Sequence, residues 1–317
     1  MKMTDDIDSY YIDDAQVYVE CDNGMLFQAE PHDWDLSRNG KYTINMGLLE
    51  LERKYRLKIE IDKHEYASDF SYPIETPEID SIFWRKRAQR EPVMIYIATH
   101  SPENELMYYR WSYKEDWEYH SFLDKSEYGY SHRCWTSANS RGIFLSSAEN
   151  TIFGQTTETI VKMAPSDRKL SALYRIIVTQ NAISKRAHDY FVNVKKNAEN
   201  MGGLFAPTPS ELRGNIVCIT DQNKTVIGYI DVSTTTQKMQ YVSGKKVYEK
   251  PFVLCSTPPY DTDGPLPGYI AIIDGIAYHK QCLYCMWDGD GIPRKPDGWP
   301  DDYYEDENPC WFLNCRR

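Results

Sequence analysis

A chain of 317 residues carries a net charge of −11, and its Lys and Arg are scattered without forming a long basic run. Such a chain lacks the electrostatic footprint of nucleic-acid binding, and no apolar stretch approaches the roughly 18 residues that a membrane-spanning helix needs. The length allows two domains, and an aromatic content of 14%, with 25 tyrosines, suits half-buried pleated surfaces and binding faces.

The first six residues, Met-Lys-Met-Thr-Asp-Asp, contain no apolar segment of the secretory-signal kind. Residues 9–75 read as short strands. Residues 15–20 form one, Asp22-Asn23-Gly24 turns, and residues 25–29 return as its partner. Asn39-Gly40 is a turn dipeptide ahead of a strand at 42–46. Residues 55–61 alternate, with Tyr55, Leu57, Ile59 and Ile61 on one face, which fits an antiparallel sheet with one wet side. This spacing predicts a small sandwich, immunoglobulin-like or transthyretin-like. Pro73 and Pro77 then punctuate the chain, so a boundary is placed at residue 78. Residues 1–78 are the sandwich; residues 79–317 are a second β-rich domain.

In the second domain, residues 93–98 are a buried-type strand and residues 101–104 a turn. Residues 106–113 form a strand with Trp111 and Tyr113 on the side opposite Arg110. Residues 122–150 are polar and read as loop. Residues 173–178 are a strong strand that feeds a helix at 184–201. There Ala187, Tyr190, Phe191, Val194, Ala198 and Met201 recur at spacings of three and four, one apolar stripe. Lys185, Arg186, Asp189, Lys195, Lys196 and Glu199 line the other face, and His188 is expected there, exposed. Ser184 is the N-cap, and Gly202-Gly203 supplies the left-handed stop. One stripe covers one surface, so the helix should lie on β-structure. Pro207 and Pro209 lead to a hairpin of residues 215–220 and 225–232, with a turn at 221–224. Gly228 within it signals a bulge or a close backbone approach. Residues 238–242 and 251–256 offer further strands, and residues 258–317 read as loops pinned by cysteines.

The string Val178-Thr179-Gln180, Ile183-Ser184, Tyr190-Phe191, Gly202-Gly203-Leu204-Phe205, Pro207, Pro209, Gly214-Asn215-Ile216, Val226-Ile227-Gly228-Tyr229 resembles the signature of domain of unknown function 4249, a family of Bacteroidota cell-envelope lipoproteins. Ile79-Asp80-Ser81-Ile82, Tyr108-Tyr109-Arg110-Trp111, Glu115-Asp116-Trp117-Glu118, Cys134-Trp135, Cys282-x-x-Cys285 and Lys295-Pro296-Asp297-Gly298-Trp299 fit it as well. The resemblance runs from near residue 10 to near residue 300. It implies a protein of the outer-membrane surface or periplasm, lipid-anchored in the family, and accessory to a TonB-dependent receptor. It also implies one or two strands ahead of the first domain, which reads as lacking them. Cys21 has no signal segment before it and is not an anchor.

Among the eight cysteines, Cys134, Cys218, Cys255, Cys282, Cys285, Cys310 and Cys315 are disulfide candidates in an exported protein, each bridge contributing roughly 2–4 kcal/mol. Their connectivity is open. The alternative is zinc held by Cys282, Cys285, Cys310 and Cys315, four thiolates at nearly ribbon-like spacing. A redox role for Cys282-x-x-Cys285 lacks a cationic neighbour to lower a thiol pKa. Asp288-Gly289-Asp290-Gly291 opens like a calcium loop but continues with Ile292-Pro293, which breaks the pattern. The acidic run at 301–307 reads as solvated chain. No two of the seven histidines are spaced as ligands of one metal, and no nucleophile-elbow, P-loop, dinucleotide or zincin motif occurs. These patterns predict a non-catalytic protein with no cofactor, binding a small ligand, a glycan or a peptide; a receptor partner is what the resemblance implies. The alternative is a stand-alone carbohydrate- or peptide-binding β module. That reading needs exposed aromatics, so burial of Trp111, Trp117, Trp135 and Trp299 together would weaken it.

Overall fold

The structure, a computed structural model, describes residues 11–12, 14–31, 40–88, 90–102, 105–120, 133–149, 154–165, 167–200, 212–247, 270–273, 276–279 and 296–300. It is mainly β, with antiparallel sheets and one long helix. In the first part of the chain, β1 (Gln16–Cys21), β2 (Leu26–Gln28), β5 (Tyr55–Ile61) and β6 (His64–Ser68) form one sheet, and β3 (Glu30–Pro31) pairs with β4 (Tyr42–Thr43) as a small ribbon. The expected β1–β2 hairpin is present, with Val19 opposite Phe27. On its other side β1 pairs with β5, Val17 meeting Ile59 and Val19 meeting Leu57. The contrast between a dry and a wet face is muted. Tyr55 is buried and the rest of β5 is half-buried, and no residue of this sheet joins the main core.

That core lies between two sheets farther along. The first takes β9 (Tyr108–His120), β10 (Arg133–Asn139), β11 (Phe144–Ser147), β13 (Leu173–Ile183) and β15 (Thr236–Ser243); the second takes β7 (Ser81–Arg85), β8 (Val93–His100) and β12 (Gln155–Met163). Val93, Ile95 and Ile97 are completely buried, every second residue of β8, and pack against Tyr109, Trp111, Tyr174, Ile176 and Val178. Each such side chain contributes roughly 1.5–3 kcal/mol through burial. Buried Gln180 is fully used: Trp111 Nε1 donates to its Oε1 at 2.7 Å, and its Nε2 donates to Pro77 O and Thr99 Oγ1.

Three sequence readings are corrected. Residues 133–139 and 144–147 are strands, not loop. At 13 residues, β9 is long enough to hold β10 along Lys114–His120 and β11 along Tyr108–Trp111. A polar, alternating edge strand reads locally as loop. The chain at 225–232 does not return as a strand. Instead β14 (Ile216–Cys218) pairs with β6 and joins the first sheet. Opposite it, the Asn215 amide replaces a ladder, donating to Ile230 O and accepting from Ile230 N at 2.8 and 2.9 Å. The close approach expected at Gly228 is real, since a Cβ on Gly214 would stand 1.4 Å from Gly228 O. Third, His188 is half-buried, with 17% of its side chain accessible, and its ring lies 5.0 Å from that of Tyr108.

The helix α1 (Lys185–Asn200) starts where the sequence places it. Ser184 Oγ accepts from Ala187 N at 3.1 Å, and Ser184 N donates to Asp231. Only its first turns are tightly covered: Ala187 packs with Tyr108 and Ile183, beside Phe191, Leu145 and Tyr229, while Ala198 is exposed. A short helix α2 (Gly244–Val247) follows β15, and β16 (Ile270–Ile273) pairs with β17 (Ile276–His279). The expected strand at 251–256, the glycine stop and most of the carboxy-terminal loops lie outside the described residues. Among the described residues, no helix is long and apolar enough to cross a membrane.

Candidate functional surface

Three gatherings of ionisable side chains stand out among the described residues. The densest lies on β9, where successive residues face opposite sides of the sheet. Glu115 accepts from Lys169 Nζ at 2.6 Å and from the Tyr174 hydroxyl at 2.9 Å. Asp116 points the other way and accepts from Arg175 Nε and Nη2 at 3.0 and 2.7 Å, and from the Ser137 hydroxyl. Arg175 is its direct cross-strand partner. The third guanidinium nitrogen donates to Asp297 O at 2.7 Å. Trp299 Nε1 donates to Glu118 at 3.0 Å, and the Tyr241 hydroxyl donates to Gly298 O at 2.9 Å. Trp299 thus caps the sheet beside Trp135 and Leu173. Burial, then the adjoining Glu115, holds the Tyr174 phenol well above its ordinary pKa. Burial, the largest single effect, lowers the Arg175 pKa, but Asp116 and Tyr241 together outweigh it and the net shift is upward. Asp116, Arg175 and Glu118 thus pin residues 297–299 to one face of the sheet, while Glu115 holds Lys169 and Tyr174 on the other.

The second cluster sits at the start of α1. The Tyr108 hydroxyl donates to Glu149 Oε1 at 2.5 Å, and Lys185 Nζ donates to the same oxygen at 3.2 Å while lying over the Tyr108 ring. The Glu149 bond raises the Tyr108 phenol, the Tyr108 bond lowers Glu149, and the Glu149 bond raises Lys185. Each group is thereby held more firmly in its neutral-pH form. General acid–base chemistry needs the reverse, a pKa brought near the working pH. Arg110 lies 4.4 Å above the Phe191 ring, and burial lowers its pKa.

The third is a cleft of about 540 Å³ lined by Arg85, Lys86, Arg87, Glu91, Pro92, Met94, Tyr96 and Lys162. It opens at the β7–β8 turn. The three consecutive cations are visible in sequence, but Lys162 joins them only through the register of β12 on β8.

Of the cysteine candidates, Cys134 lies in β10, and Cys218 closes β14. Cys218, expected among the bridged cysteines, is a buried free thiol 3.5 Å from Thr220 Oγ1, as Cys21 is buried and free. Its neighbours on β6 and in the 219–226 loop bring no described thiol to it. Cys255, Cys282, Cys285, Cys310 and Cys315, the calcium-like string and the acidic run lie outside the described residues. No group of three or more His, Cys, Asp and Glu fit to hold a metal occurs among the described residues. Trp111, Trp117, Trp135 and Trp299 are all buried, with 1–5% exposure.

Among the described residues, fold and surface together define a β-rich scaffold with paired interior charges and an open cationic recess at the β7–β8 turn. The chain belongs to the family described as domain of unknown function (DUF4249), whose model matches residues 2–239. Comparison with curated proteins and with solved structures gives no match.

Proposed function

We propose that the chain is a non-catalytic protein of the cell envelope that acts beside a TonB-dependent outer-membrane receptor, presenting surface for binding or uptake. The receptor, the Bacteroidota lipoprotein setting and the outer-membrane or periplasmic location follow from the sequence resemblance. The structural support is the state of the charges. The residues that would be the first suspects for chemistry, Glu115, Asp116, Glu118 and Arg175, are buried and hydrogen-bonded, and Trp299 caps the face that carries Glu118 and Arg175. Oxidised carboxy-terminal thiols belong to the same reading. The stand-alone carbohydrate- or peptide-binding alternative loses its four Trp anchors, since none of them reaches solvent.

The test is affinity purification of the tagged, full-length protein from native membranes after mild crosslinking. Recovery of a TonB-dependent receptor in proportion to the bait is the expected result. No receptor above an untagged control, with the bait itself well recovered, would refute the reading.

A further inference from the structure

We propose that the cleft between the β7–β8 turn and β12 binds a phosphate group. Arg85 stands opposite Met94 from one side and Lys162 stands opposite it from the other. Both are exposed, and in this register they rise from one face of the sheet, two strand spacings apart. Strands lie about 4.7–4.9 Å apart, so the two stems flank a gap of roughly 10 Å that long side chains can close around one anion. Arg87 and Lys86 border it from the turn, and Lys86 Nζ donates to Val247 O. Glu91 is the only carboxylate in the lining, against four cations.

Three of these cations, Arg85, Arg87 and Lys162, differ from other cations of the described residues. Lys58, Lys169, Arg175 and Lys185 all meet carboxylates. Arg85, Arg87 and Lys162 form no ion pair among the described residues. The Arg85 guanidinium instead lies 4.9 Å over the Phe83 ring, which stacks on Tyr96 at 5.3 Å and 13°. That stack orients a planar fork of donors at the cleft mouth, the geometry that suits phosphate oxygens. A recess lined by one sign of charge raises the local concentration of the opposite ion, here on a chain whose net charge is −11. A single carboxylate ligand would satisfy one guanidinium; cations on several sides fit a tetrahedral, multiply charged group. The inference does not depend on a receptor partner.

The experiment uses the full-length protein and two probes, pyrophosphate by titration calorimetry and vesicles by co-sedimentation. The vesicles are phosphatidylcholine with and without phosphatidic acid. The cleft variant is Arg85→Glu with Lys162→Glu. The control is Lys195→Glu with Lys196→Glu, which makes the same charge change on an exposed stretch of α1. Circular dichroism checks that both fold. At low salt the wild type should bind at least one probe, the cleft variant about tenfold or more weakly, and the control nearly as the wild type. Binding of pyrophosphate alone identifies a free phosphate compound; preference for phosphatidic acid vesicles identifies a lipid headgroup. The proposal is overturned if the wild type binds neither probe above neutral vesicles, or if the control loses as much as the cleft variant.

Discussion

Replacing Trp299 by Ala should cost about 4 kcal/mol of folding stability. The indole is 4% exposed and packs with Trp135, Leu173 and Tyr241. A buried aromatic of this size removes about 150–250 Å² from water, worth roughly 4–6 kcal/mol at 25 cal/mol per Å², and Trp-to-Ala substitutions in cores cost about 3–5 kcal/mol. The Arg175 guanidinium, 5.4 Å from the ring, loses part of its cover as well. Trp299→Phe isolates the hydrogen bond to Glu118, because it keeps most of the ring but drops the N–H; its cost should be about 1–3 kcal/mol. Urea unfolding followed by far-ultraviolet circular dichroism gives both numbers from the midpoint at constant slope. A loss below about 1 kcal/mol for the alanine variant would show that residues 296–300 rest on the sheet without holding it, and the reading of the charge cluster as a pin would fail.

Asp116→Asn should destabilise by about 3–5 kcal/mol, because it leaves the Arg175 guanidinium buried beside a neutral amide; pairing it with Arg175→Met should recover much of the loss in the same urea assay. Alkaline pH should weaken the fold through Tyr109, whose phenol burial raises from 10.0 to about 12. The folded state holds that proton longer than the unfolded chain, so the stability is intact below about pH 10 and is lost as pH rises toward 12. Phenolate absorbance should accordingly show a tyrosine fraction that ionises only as the protein unfolds. Gly214→Ala should open the Asn215–Ile230 closure, since its methyl would collide with the Gly228 carbonyl, and hydrogen exchange at Ile230 N should accelerate. Ser184→Ala should cost about 1 kcal/mol through loss of the N-cap, read from thermal melts.

The helix shows what was legible and what was not. Its stripe, its cap and its start could be read from residues 184–201, because all three depend on neighbours within a turn or so. How deeply it is buried could not. The helix meets β9 at Tyr108 and Arg110 and β11 at Leu145 through its first turns, so Ala187 is enclosed and Ala198 is open. The strands divide in the same way. The β-branched runs of β5, β8 and β13 announce themselves, whereas Arg133–Asn139 and Phe144–Ser147 are strands only because β9 offers them an edge.

The hairpin expected at 215–232 failed for a related reason. Residues 216–218 are apolar and β-branched enough to form a strand, but their partner is β6, far back in the chain. Local turn chemistry between two apolar runs argues only that the chain reverses, not that the two runs pair. The charges follow the same logic with larger consequences. Lys114-Glu115-Asp116-Trp117-Glu118 looks like a solvated segment, and it would be one if β13 did not set Arg175 against Asp116 and the chain near residue 299 did not return to cover Glu118. Conversely, Arg85-Lys86-Arg87 looks like one more stretch of scattered basic surface until β12 adds Lys162 across Met94. Whether a charge becomes a pin or a binding group is therefore decided by which distant strand arrives beside it. In this chain Arg175 of β13, Lys169 and the chain near residue 299 supply partners to the carboxylates of β9, while Arg85, Arg87 and Lys162 stay exposed.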